Sequence, residues 1–208
     1  MIAYSPEDIV NMALRRIGYD TPIGFMYEGS RASRVAVEIY SQTRDDLLRS
    51  KDWPFARQAF TLVLLKTAPV GGYSPTTPWS TSYPPLPWIY EYEYPPVALE
   101  VRSVRPKPIF IPEYSPKFNR FVVASDPSLV AAPPDGESRV VLTNLSNAQA
   151  VITAQITDTT QWEANFIEGL ADVLAVKLQN ALSPEANMDK ERIGEAQQSV
   201  QTATMRRG

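Results

Sequence analysis

The chain has 208 residues, 44% hydrophobic and 21% charged, with a net charge of −3, an ordinary balance for a globular protein of one or two domains. It contains neither cysteine nor histidine, which removes disulfides, thiolate nucleophiles, Cys-type zinc sites, Ser-His-Asp machinery and the commonest transition-metal ligand. The acidic balance argues against gripping a nucleic-acid backbone, and no apolar run approaches the roughly 20 residues of a membrane-spanning helix.

The N-terminus carries no signal-peptide pattern, so the expected compartment is the cytosol unless something carries the chain out. Ser5-Pro6-Glu7-Asp8 reads as a helix start: a capping serine, proline at the first helical position, and acids facing the macrodipole. Ile9, Met12, Ala13, Arg16 and Ile17 carry the helical period, and Gly18 is the expected stop. A loop with Pro22, Gly24 and Gly29 follows; these glycines fit turns and match no phosphate-loop pattern.

A second, longer helix is expected from Ser30, its cap, to the Trp53-Pro54-Phe55 stop. Ala32, Val35, Ala36, Ile39, Thr43 and Leu47 form its apolar stripe, with Arg34, Glu38, Gln42, Asp45 and Arg49 largely off it. Asp45 and Asp46 point about 100° apart on a helix, so they read as surface acids pairing with Arg44 or Arg49 rather than a shared site.

Beyond Arg57 the pattern turns extended. Phe60 to Leu65 suits a strand, and residues 67–87 form a loop in the region where eight of the 19 prolines fall between Pro69 and Pro96. Such a stretch is an extended arm or long surface loop. Alternation then predicts strands over Trp88–Tyr94, Leu99–Val104, Ile109–Ile111, Phe118–Ala124, Val140–Thr143 and Ala150–Ile156, with turns at Asp135-Gly136 and Asn144–Asn147. Their spacing predicts a small antiparallel sandwich or barrel.

Helical period returns after Thr160-x-x-Glu163, an expected capping box, with an apolar face of Trp162, Phe166, Leu170, Val173, Leu174, Val176, Leu178 and Leu182. Ser183-Pro184-Glu185 opens a last helix with few apolar residues in register, Ile193, Ala196, Val200 and Ala203, so it is frayed or completed by a partner. The order helix, helix, β-insert, helix, helix gives an α+β fold. A helical bundle is built from residues 1–57 and 158–208, and residues 58–157 are an inserted β-domain resembling a sandwich or barrel.

Chemistry finds little foothold. In a strand, Trp88, Tyr90, Tyr92 and Tyr94 share one face and Ile89, Glu91 and Glu93 the other. The aromatic row could stack on sugars or bases, and the two glutamates could act as a glycosidase pair. The favoured reading is an aromatic face packed on the β-core or a neighbouring subunit, with a solvated acidic face opposite. Arg102, Arg105, Lys107, Lys117 and Arg120 are diluted by proline and lack a glycine-rich cradle, so they read as solvated or interface charges rather than phosphate ligands. No cofactor, metal or catalytic residue is assigned.

The segment Asn11–Gly18 (NMALRRIG), Glu28-Gly29-Ser30, Tyr40-x-x-x-Arg44-Asp45-x-Leu47-Leu48 and Trp53-Pro54-Phe55-Ala56 together resemble the head-to-tail adaptors of tailed phages. The likeness is to the tail tubular protein A type of short-tailed phages. Trp88-x-Tyr90-x-Tyr92-x-Tyr94-Pro95 leading to Leu99-x-Val101, and Val151–Thr157 followed by Trp162–Leu182, are similar in order and place, so the resemblance covers most of the chain.

The resemblance implies a non-enzymatic virion protein of the tail and neck, assembled in the host cytoplasm. It implies a ring of about twelve copies beneath the portal protein that continues the channel for passing double-stranded DNA and presents a platform to the tail nozzle protein. In that setting Trp53, Phe55, Trp162 and Phe166 would be structural anchors, and Trp88, Tyr90, Tyr92 and Tyr94 a β-domain interface. Ile193, Val200, Met205, Arg206 and Arg207 would lie in a tail reaching the portal. The alternative is a phage cell-wall hydrolase or glycan-binding tail component, for which no catalytic position carries over.

Overall fold

The computed structural model describes residues 4–107, 120–126 and 139–183. The expected strand at Ile109–Ile111, the Asp135-Gly136 turn, Lys117 and the final helix with Ile193, Val200, Met205, Arg206 and Arg207 lie outside them. The described residues form three helices and seven strands in two antiparallel sheets, which do not close into a barrel. They divide into two compact units, one of residues up to Leu47 together with those from Thr157 on, the other Leu48–Ile156.

Helix α1, Pro6–Arg16, starts as its sequence dictates: the Ser5 hydroxyl accepts from the Asp8 amide at 3.1 Å while the Asp8 carboxylate accepts from the Ser5 amide at 2.9 Å. The Ser5 amide and, at 2.9 Å, the Ser5 hydroxyl both donate to that carboxylate and lower the Asp8 carboxyl below its ordinary range. Gly18, at φ +71, takes the left-handed conformation that lets the chain turn off the helix end. The buried face is Ile9, Val10, Ala13 and Leu14, turned slightly from the expected stripe. Beyond the helix, the Asn11 side chain pins the following loop, accepting from the Ile23 amide at 2.8 Å and donating to its carbonyl at 2.9 Å.

Helix α2, Arg31–Ser50, is capped by Ser30, whose hydroxyl accepts from the Ser33 amide at 3.1 Å. Its stripe also differs by about one position. Ala32, Ala36 and Thr43 are buried as expected, but Tyr40, Arg44 and Leu48 take the places expected for Ile39 and Leu47. Tyr40 and Arg44 have long side chains whose bodies bury, and a count of apolar residue types misses them; the Tyr40 hydroxyl is buried without a hydrogen-bond partner among the described residues. Arg44 binds Asp45 at 2.8 Å, so Asp45 is a half-buried partner rather than a surface acid.

Helix α3, Ala164–Leu182, buries Phe166, Ile167, Leu170, Ala171, Leu174, Ala175 and Leu178. Val173 and Val176, expected on the buried face, are 38% and 60% exposed, because α3 carries more apolar residues than one face holds and Ala171 and Ala175 take the buried places instead. The Thr160–Glu163 capping box does not form. Asp158 accepts from the Thr160 amide and hydroxyl and caps a single 3-10 turn, Thr159–Gln161, before α3 begins without a side-chain cap. Trp162 and Phe166 meet edge to face at 5.0 Å, both buried.

Across this unit α1 is tied to α3 by Arg16, which bonds Glu168 and reaches Asp172 at 2.8 Å. Antiparallel contacts join α2 to α3: Arg31 donates to the Ala181 carbonyl at 3.2 Å and Lys177 to the Thr43 hydroxyl at 2.9 Å.

The β unit begins inside the last turn of α2 and holds the Trp53-Pro54-Phe55 stop. Trp53 is buried, with Phe55 at 6.0 Å and the Lys51 ammonium 4.8 Å over its ring. Pro54–Ala56 is a 3-10 turn that feeds strand β1, Arg57–Thr61. The expected single strand Phe60–Leu65 breaks at Leu62-Val63, and β2, Leu64–Thr67, belongs to the other sheet. The remaining strands are β3 Tyr90–Glu93, β4 Ala98–Pro106, β5 Phe121–Ser125, β6 Arg139–Thr143 and β7 Ala148–Ala154. One sheet has the order β1-β7-β4, the other β2-β3-β6-β5.

Arg102 on β4 is spent on this framework. Its guanidinium donates to the carbonyls of Leu48, Arg49 and Lys51 at 3.4, 2.7 and 3.1 Å, and to the Thr153 hydroxyl at 2.8 Å. These are carbonyls left over at the end of α2 and just past it, and a cation suits the negative end of the helix. Arg105 likewise bonds Gln149 at 2.9 Å.

In the helical unit, Leu170→Ala is expected to lower stability by about 2–5 kcal/mol, whereas Val176→Ala changes it by under about 0.5 kcal/mol. Denaturant unfolding of the two variants checks the observed, rather than the expected, buried face.

Candidate functional site

Sheet register builds the site. β2 pairs β3 and β3 pairs β6, so Lys66, Glu91 and Leu142 lie side by side across three strands, and Val140 lies opposite Ala124 on β5. These residues form one wall of a cavity of about 460 Å³, a size that suits a small ligand. The other wall comes from the proline-rich arm, through Trp79, Thr81, Tyr83 and Pro85.

The arm is shaped by its own contacts. Its base is closed by the Ala68 amide donating to the Ile89 carbonyl at 2.7 Å. Gly71 and Gly72 both take positive φ, +88 and +82, which only glycine adopts readily, and turn the chain back. Ser74 and Thr77 exchange backbone hydrogen bonds, each 3.0 Å. The Tyr73 hydroxyl and the Trp79 indole N–H both donate to the Pro84 carbonyl at 2.9 Å, and the Tyr73 and Tyr83 rings meet edge to face at 5.9 Å. Such a loop, its ends joined and its interior filled by its own side chains, is a compact unit rather than a loose tether.

At the sheet side of the cavity Lys66 lies between two acids. Its ammonium bonds Asp126 and lies 3.3 Å from Oε1 of Glu91, whose side chain is 1% exposed. That Oε1 accepts no hydrogen bond of good geometry from the described residues. Burial, then a hydrogen bond with Asp126, push the Glu91 carboxyl up to about 7, against the pull of the Lys66 charge. For Lys66, burial acts to lower its value, but the Asp126 hydrogen bond and the two carboxylate charges leave it above the ordinary lysine value. A raised carboxyl beside a second carboxylate in an apolar cavity is a proton-holding arrangement.

This corrects the expected solvated acidic face. Glu91 is buried and Glu93 is exposed, so they form no pair; the second acid at Glu91 is Asp126, joined to it through Lys66, and no alternation in the sequence points to it. The aromatic row also divides. Tyr92 is buried, with its hydroxyl donating to the Leu145 carbonyl at 2.8 Å, and Tyr90 packs on it at 6.2 Å. Trp88 and Tyr94 are half-buried, and the Arg139 guanidinium covers the Tyr94 ring at 5.4 Å. Tyr92 is therefore a core residue rather than part of an exposed aromatic platform.

Among the described residues, no cluster of three or more acidic side chains is placed to hold a metal ion, and no helix is long and apolar enough to cross a membrane. No protein-family model matches the chain, and no curated protein matches it in sequence.

The Glu91 shift sets a pH signature. Its folded value, about 7, lies above the ordinary 4.5, so its contribution to stability is complete below about 4.5 and is lost as pH rises through about 7. The chain has no histidine. The shifted acids Asp8, Glu28, Asp52 and Asp158 are all lowered, so they act below this window. Denaturant midpoints are expected to fall between pH 5 and 7.5, by at most about 3 kcal/mol in stability, and Glu91→Gln is expected to flatten that fall. An unchanged slope in the variant would contradict the assignment.

Proposed function

We propose that the chain is a structural, non-enzymatic phage component, a head-to-tail adaptor that joins portal to tail nozzle as a ring and continues the DNA channel. The observation that carries this reading is the chain order: helices from both ends of the chain form one unit, and an antiparallel two-sheet unit is inserted between α2 and α3. The stretches that resemble the phage adaptors fall in both units and in that same order. In this reading the helices form a bundle that packs side by side around the ring, and the two sheets form a sandwich. The residues after α3 reach the portal.

Exposed apolar side chains add support. Phe25 and Tyr27 in the α1–α2 loop are 59% and 81% exposed, and Val173 and Val176 lie outward on α3. Apolar groups facing outward on a helical unit suit contact with a neighbouring copy. The negative balance of the chain suits a channel through which DNA passes without adhering.

The hydrolase or glycan-binding alternative gains one observation, the Glu91–Asp126 pair in the cavity. It is weaker as a catalytic site because the Glu91 side chain is 1% exposed and its carboxyl is in contact with Lys66. Loss of wall-degrading activity in Asp126→Asn, on a zymogram where the unaltered protein clears, would favour that alternative.

Mixed with the portal of its own phage, the purified protein is expected to add a ring of density beneath the portal in electron micrographs. Portal particles that remain bare at saturating protein would sink the adaptor reading.

A further inference from the structure

We infer that the cavity between the proline-rich arm and the four-stranded sheet binds an organic monocation, an alkylammonium or guanidinium head on a short apolar stem. This goes beyond the adaptor reading and does not depend on it.

Three observations choose the chemistry. The first is the lining. Ala124, Val140, Leu142 and Pro85 offer no hydrogen bonds from their side chains, and Thr81, Tyr83 and Ser125 add only three hydroxyls, so a hydroxyl-rich ligand would lose more water against this wall than it regains. An alkyl stem loses nothing on the same wall. The second is charge. Among the described lining residues there are two carboxylates, Glu91 and Asp126, for one ammonium, Lys66. An anion meets an excess of like charge, and a cation completes the set.

The third is the shape of the resident pair. Lys66 already lays an alkyl stem along this wall and sets its ammonium against both acids. The site accepts the chemistry proposed for the ligand. Of the two lining carboxylates Asp126, 11% exposed, is the more accessible to a ligand, and Glu91, 1% exposed, contributes mainly charge. Trp79, 48% exposed, and Tyr83 line the arm side, where aromatic rings favour a cation.

The charged groups facing Glu91 are Lys66 on β2 and Asp126 after β5; the arm brings Tyr83 to the lining, and β6 contributes only Val140 and Leu142. Above pH about 7 Glu91 is ionised and the excess negative charge is complete; below it a proton cancels that charge. Binding is therefore stronger at higher pH.

The test uses the full chain and two probes of equal shape, n-butylguanidinium and uncharged N-butylurea. The readout is the indole N–H resonance of Trp79 in nitrogen-15 NMR, assigned as the one of four tryptophan signals lost in Trp79→Phe. Millimolar butylguanidinium is expected to move that signal above pH 7, with a response at least about ten-fold stronger than butylurea gives. The response fades below pH 6 and is lost in Asp126→Asn.

No shift, equal responses to both probes, or an undiminished response in a folded Asp126→Asn would overturn the inference. Should that variant fail to fold, the contrast between the two probes on the unaltered protein decides the matter alone. An acetyl-Gly-Arg-Gly-amide peptide separates the sources. Tighter binding of the peptide assigns the site to an arginine side chain of a protein partner; exclusion of the peptide while butylguanidinium binds assigns it to a free small cation.

Discussion

The pairing of β1 with β7 is the constraint on which the architecture turns. β1 follows the end of α2, and β7 precedes the turn into α3. Their antiparallel register, Arg57 opposite Thr153 through Thr61 opposite Gln149, closes nearly a hundred residues into a loop with adjoining ends. Closing such a loop carries an entropic cost that grows slowly with length, so a five-residue ladder backed by burial can hold it. β7 is bonded on its other side by β4, from Ala98 opposite Ala154 to Pro106 opposite Ala148. Its inward side chains, Ala148, Ala150 and Ile152, are fully buried. Thr153, equally buried, spends its hydroxyl on Arg102, which in turn gathers the carbonyls at the end of α2. Strand pairing, helix end and insertion boundary are thus one connected network within the β unit.

With the ends fixed, the rest of the insertion is free to build a second sheet and an arm. The chain leaves the first sheet at Leu62-Val63, and the Leu62 amide still bonds the Ala148 carbonyl at 3.0 Å. The Glu93 amide bonds the Val63 carbonyl at 2.9 Å, so the crossing residues serve one sheet each. The arm departs from β2 and returns at β3, neighbours in the second sheet, which explains how its ends meet without help from a distant element. The cavity follows from this connection. An arm rooted on adjacent strands folds back over the face that carries Lys66 and Glu91.

Local features were legible in the sequence wherever the cause was local. The Ser5–Asp8 box, the Ser30 cap, the Gly18 stop and the strands of β3, β4, β6 and β7 all follow from neighbouring residues. The failures were of another kind. Tyr40 and Arg44 bury through long stems that a polar label conceals, and Val173 and Val176 are apolar yet outward because α3 offers more apolar surface than its neighbours cover. Asp158, rather than Thr160, caps the turn before α3, a choice made by which carboxylate the bend brings to the free amides.

The candidate site was the least legible part. Alternation put Glu91 and Glu93 on one face, but whether that face meets water depends on the arm, whose fold rests on Tyr73, Trp79, Tyr83 and Pro84 acting together. Asp126 reaches the site only through the pairing of β5 with β6, a long-range register that no local pattern encodes. Burying an acid is costly unless a partner repays it, and Lys66 with Asp126 is that partner set. A buried ionisable group held this way marks the site more clearly than any spacing of residue types did.

Native-state hydrogen exchange of the β unit tests the central role of the β1–β7 closure most directly. The amides of Ala150, Ile152 and Ala154 are expected to exchange only through unfolding of the whole unit, well after those of edge strand β2. Exchange of these β7 amides at the rate of β2, with the second sheet still protected, would contradict the closure as the element that holds the insertion together.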